Sequence, residues 1–149
     1  MNKQKFWIIV VSKDHAMRGV EGNFIQANHG KQAPLRRISE GDWIIIYSPK
    51  ISLDGNEKYQ CFTAIGQASD ENVYQFKMTE SFMPFRRNVK FNECLETSIL
   101  PLINSLEFIP NKKSWGYPFR FGFFEMNEND FNIISSKMLI NGKEDNTFL

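Results

Sequence analysis

The sequence predicts an α+β domain whose mostly antiparallel, barrel-like sheet is flanked by short helices. Three observations carry that prediction. The 149 residues are 42% hydrophobic and 23% charged, which is the make-up of one globular domain with a proper core. Five or six apolar runs have strand length, and only two or three stretches have a helical period. The two kinds follow each other irregularly, without the strict strand–helix alternation that builds a parallel sheet.

Residues 5–12, KFWIIVVS, form a continuous apolar run bounded by polar residues, the mark of a buried strand. Polar SKDH ends it, and a short helix is expected over 20–28, closed by His29 and a left-handed Gly30. His29 then sits at the negative end of a helix dipole, a capping place rather than a catalytic one. In the strand 43–48, Trp43, Ile45 and Tyr47 share one face and Ile44 and Ile46 the other. Both faces are apolar, so this strand is central, and Pro49 is expected to stop it. Segments 59–67 and 72–79 read as a hairpin through ASDEN, with a further strand over 86–91. A short helix is expected from Thr97, with Pro101 in its first turn, and a last strand over 119–125. NENDFNIISSKM reads as a capped helix, with Asn127 as N-cap and Phe131, Ile134 and Met138 as its buried stripe. One domain is expected over 1–140, with a polar, fraying tail over 141–149.

Charge is nearly balanced, 18 basic against 17 acidic residues, for a net +1. That excludes a broad basic coat for nucleic acid and leaves room for a small basic pocket. Cys61 and Cys94 are too few for a disulfide framework. With His15 and His29 they never come within fourteen positions of one another, so no zinc-ligand pair is present and neither metal nor cofactor is expected. FWIIVV is too short for a signal peptide or a membrane span, so a cytoplasmic protein without a membrane partner is expected.

Aromatics make up 14% of the chain, and they gather in two Pro-Phe-Arg segments: FMPFRRNVKF at 82–91 and SWGYPFRFGFF at 114–124. Strand alternation puts Arg87 on the face of Phe85, Val89 and Phe91, where an unpaired guanidinium is costly and needs a carboxylate, carbonyls or an anionic ligand. Arg86, on the other face, is expected to reach water. Arg120 shares a face with Gly122, which leaves room for something flat to approach the backbone. Flat aromatic walls and guanidinium forks together suit a nucleobase with its phosphate. Ser12, Asp14 and His15 contain the elements of a hydrolytic triad, but triads are assembled from distant positions, and adjacency in sequence argues little for one.

The stretches WIIVVSKDHAMRGV, FTAIGQ, VYQFKM, PFRRNVKF and WGYPFRFGFFEM, in this order, resemble an EVE-domain protein of the bacterial stand-alone type, over residues 7–138. The resemblance implies a PUA-like fold, a twisted, partly open β-barrel flanked by short helices. It further implies a pocket for a modified or flipped-out base of DNA or RNA, with modified cytosine in DNA the family's reference ligand. Carried onto this chain, the walls would be Trp7 or Trp43, Tyr47, Phe85, Trp115, Tyr117 and Phe119, with Gly116 between. Ser12, Lys13, His15, Ser48, Arg86, Arg87 and Arg120 would supply the polar contacts. Family members fused to nucleases carry a segment without a counterpart here, so a separate effector protein is a further candidate partner. The expected function is non-catalytic nucleobase binding. Its alternatives are an ASCH-like hydrolase of modified nucleosides, with Lys13 or His15 as general base, and a protein-interaction domain.

Overall fold

The computed structural model describes residues 3–140. Seven strands form one sheet: β1 (Phe6–Val10), β2 (Phe24–Ile25), β3 (Trp43–Lys50), β4 (Lys58–Gln75), β5 (Phe85–Phe91), β6 (Thr97–Ser98) and β7 (Phe123–Met126). The order is β2-β5-β4-β3-β1-β7, with β6 also paired to β4. Only β1 and β3 run parallel; the other pairings are antiparallel. The outermost strands, β2 and β7, do not pair with each other, so the sheet stays open. Three helices accompany it, α1 (Lys13–Gly22), α2 (Gln32–Arg36) and α3 (Glu128–Met138), together with several 3-10 turns. Among the described residues no helix is long and apolar enough to cross a membrane.

The sheet buries both faces. Ile8, Ile45, Tyr47, Phe62 and Ile65 meet α3 through Phe131, Ile134 and Met138. On the opposite face Trp7, Ile9, Ile44 and Ile46 pack with Ala16 of α1, Leu35 of α2 and Val89 of β5. The alternation read in 43–48 is therefore the alternation observed. Each core is tied by a buried carboxylate. Asp42 accepts from the backbone of Lys5 and Ser39 and from the Trp7 indole at 2.8–3.0 Å. Asp130 accepts from the backbone N–H groups of Glu107 and Phe108 at 2.8 Å. Asn127 caps α3 as expected, its side chain accepting from the Asp130 N–H.

Six sequence expectations need correction. The first helix starts at Lys13, not Val20, and ends at a left-handed Asn23. Its buried face is made of Ala16 and Gly19, too small to register as an apolar period, and Gly19 lets it approach the Phe24 carbonyl. His29 consequently caps no α-helix; it lies in a 3-10 turn and is itself left-handed. ASDEN is no hairpin turn either. β4 runs through it, and the register against β5 jumps between Ala68 and Val73. Residues 119–121 belong to a 3-10 turn over Tyr117–Phe121 with Pro118 near its start, and the last strand begins only after the left-handed Gly122. Nor does Pro49 end β3: it lies inside the strand at a register shift, where its missing N–H is tolerated. The helix expected from Thr97 is instead the short β6 followed by a 3-10 turn over Leu100–Ser105. The expected tail lies outside the described residues.

Gly66 marks a close approach of β4 to β5. A Cβ there would meet the Lys90 carbonyl oxygen at 2.5 Å and the Phe91 Cα at 2.9 Å. Gly66→Ala is expected to lower stability by about 1–3 kcal/mol, through the strand displacement it forces. Chemical denaturation measures this, and an unchanged midpoint would show that the strands can part freely.

Candidate functional site

A cavity of about 550 Å³ opens where the end of β1, the first turns of α1, β2 and the Gly122 turn come together. Its floor is apolar, from Val10, Ala16, Ile25, Ala27 and Ile46, and Ser12, His15, Gln26 and Asn28 add polar groups. Its rim holds side chains that line the cavity and yet stay exposed. Arg18, His29, Lys31 and Arg120 are polar members of that rim, and Leu53, Met78, Phe82 and Phe121 are apolar ones.

The two Pro-Phe-Arg segments meet here. Pro84 packs under Gly30, whose added Cβ would lie 2.4 Å from the proline Cβ, and Gly122 sits against the Asn28 amide in the same way. Between them Asn28, His29 and Gly30 are successively left-handed, with φ of 47°, 61° and 81°. Left-handed backbone is uncommon outside glycine, and the two flanking contacts hold it in place.

The lining is one-sided in charge. Both histidines of the chain and four of its 18 Lys and Arg residues line the cavity, whereas among the described residues no Asp or Glu does. Arg18 is partly neutralised by Asp14 at 3.7 Å. Arg86 is not. It is 8% exposed, and its guanidinium carbon lies 3.7 Å from the Phe24 ring centre and 3.9 Å from that of Phe76. Its Nε donates to the Gln26 side-chain oxygen at 2.8 Å, and among the described residues no carboxylate pairs with it. Burial pushes its pKa below the ordinary arginine value, and the smaller influence of Tyr74 opposes this. The expectation that Arg86 reaches water is thus corrected: Phe24 of β2, distant in sequence, and Phe76, across the β4–β5 connection, cover the side chain.

Ser12, His15, Arg86 and Arg120 are therefore brought together. The other residues singled out in the sequence lie elsewhere. Arg87 is 1% exposed and faces the core, as its register predicts. Its fork donates to the carbonyls of Leu35 in α2 and of Ile38 just beyond it, and to that of Asp70 at 2.6 Å. Trp7 and Tyr47 are core; Tyr47 stacks on Phe119 at 4.1 Å, and burial raises its phenol pKa. Ser48 is buried against the Thr63 hydroxyl at 2.8 Å. Trp43, Phe85 and Trp115 are half-buried against the two cores. Gly116 and Tyr117 are exposed, and Tyr117 reaches the rim only through Arg120, at 5.7 Å. Lys13 points at Tyr59 and Glu96, at 2.9 and 3.2 Å.

The Ser12 hydroxyl donates to the Asp14 carboxylate, which also accepts the His15 N–H. These bonds lower the Asp14 pKa, the Ser12 contact most, so the group is a weak base. Sequence reasoning missed Phe24, Phe76, Phe82 and Phe121. The signal for the last two was present, as aromatics within the Pro-Phe-Arg segments; Phe24 and Phe76 carried none. Among the described residues no group of three or more His, Cys, Asp or Glu side chains gathers as a metal site.

A family model described as the EVE domain matches residues 5–137. A UPF0310 protein of Mycolicibacterium vanbaalenii is 52% identical over 133 residues, covering 89% of this chain and 92% of that protein. A Bacillus licheniformis relative, "UPF0310 protein in gntR 5'region", is 48% identical over 138 residues, covering 93% and 94%. Among solved structures, a hypothetical protein from Leishmania major has a TM-score of 0.55 at 9% identity, covering 90% of this chain and 94% of that one. Rpa0253 from Rhodopseudomonas palustris reaches 0.53 at 12%, covering 89% and 92%. These two likenesses concern the fold alone.

Proposed function

The chain belongs to the EVE domain family, and from that premise we propose that it is a non-catalytic module holding one modified nucleobase of a nucleic acid in the cavity. One observation carries this reading: among the described residues the buried Arg86 cation lacks a carboxylate partner, and it sits in a cavity lined with positive charge. A buried charge is costly until an acceptor meets it, so the ligand supplies the acceptor. A flat base fits the apolar floor, and the fork of Arg86, clamped between two rings, reads acceptor atoms on its edge. Arg18, Lys31 and Arg120 at the rim meet phosphates. Binding without turnover is supported by Ser12, whose hydroxyl is directed to a weakly basic carboxylate rather than to an imidazole.

Titration against a panel of modified and unmodified oligonucleotides, DNA and RNA, tests the reading. One modified base is expected to bind more tightly than its parent. Three rim cations neutralising three phosphates give a log–log salt slope of about −2 on single strands. A slope steeper than about −5, with no preference among bases, would replace the pocket with a general charged surface.

A further inference from the structure

Resting on that reading, we infer that the apolar rim is a stacking track for the two nucleotides on either side of the pocketed base, so that the ligand is an unpaired strand and not a free nucleotide. Phe82 and Phe121 both line the cavity and are 39% and 59% exposed. They come from different Pro-Phe-Arg segments and flank the same left-handed turn. Phe82 approaches Gly30 at one end, and Phe121 precedes Gly122, which abuts Asn28 at the other. A base entering over this turn therefore has an exposed phenyl ring on each side.

Charge selects the occupant of these rings. The rim cations Lys31 and Arg120 share the mouth with them, and among the described residues no carboxylate lines it. An apolar protein partner has no use for cations beside the rings, whereas a strand offers a phosphate next to every base. Stacking on a ring is tolerant of base identity. The cavity then selects the central base, and the rim adds affinity that does not depend on sequence.

The experiment compares deoxynucleoside 5′-monophosphates, the four common ones and 5-methyl-2′-deoxycytidine 5′-monophosphate, with trinucleotides carrying the same base at the centre. Calorimetry is run on wild type, Phe82→Ala and Phe121→Ala, with melting curves on the same samples. Wild type is expected to bind the best trinucleotide at least 30-fold more tightly than its monophosphate. Each variant should lose about tenfold of that gain, keep its monophosphate affinity within twofold, and melt within about 2 °C of wild type. Equal affinities of wild type for the two ligands would overturn the track and leave the cavity reading standing. Variants that bind the trinucleotide as wild type does would overturn it too, and would assign the rings to a protein partner. Failure of every monophosphate and trinucleotide to bind wild type would remove both readings.

Discussion

Replacing Arg87 with alanine is expected to lower stability by about 4 kcal/mol, a third or more of what a domain of this size holds. The guanidinium is wholly buried and satisfies three carbonyls at once, from Leu35, Ile38 and Asp70. Leu35 lies in the last turn of α2 and Ile38 just beyond it, so the fork ties down the end of that helix. Removing the fork strands acceptors that water reaches poorly, and it opens a void between β5 and α2. The melting temperature should fall by roughly 10–15 °C. Arg87→Lys should recover little, because one ammonium cannot span three divergent carbonyls. The folded fraction of either variant should bind oligonucleotide normally, since Arg87 does not line the cavity. A fall below about 3 °C would mean that the carbonyls find other partners.

The neighbouring residue should behave in the opposite way. Arg86→Met is expected to weaken binding about 100-fold, the loss of a charge-assisted pair of hydrogen bonds. Its melting temperature should stay within about 2 °C of wild type or rise, because an apolar chain of similar length replaces a buried cation without a counter-ion. The thioether also packs well between Phe24 and Phe76. Thermal melts and oligonucleotide titrations on the same preparation decide it. A large loss of stability with normal binding would make Arg86 a structural residue.

The contrast shows what the sequence could and could not disclose. Period-two alternation assigned Arg86 and Arg87 to opposite faces and put Arg87 among apolar neighbours, as observed. It could not say what covers the other face, since Phe24 and Phe76 are brought over Arg86 by tertiary folding. The strands β1 and β3 were legible because continuous apolar runs build them, and β5 and α3 because their spaced apolar residues keep a strand and a helix period. The first helix was not, because it packs by being small, at Ala16 and Gly19, and not by being apolar. Trp115 and Tyr117 looked like pocket walls through composition alone. The cavity instead takes its rings from Phe82 and Phe121 of the same segments and from Phe24 of β2, and a linear reading has no means of ranking these neighbours.

The pairing of β1 has a consequence for the order in which the chain is made. β1 lies between β3, its parallel partner, and β7, which is contributed by residues 123–126. Translation delivers β7 well after β3. Until β7 emerges, one side of a strongly hydrophobic strand therefore carries unmatched N–H and C=O groups, a template for pairing with another chain. The nascent protein should be most prone to aggregate when truncated before Phe123, and the docking of β7 should be the event that closes this window.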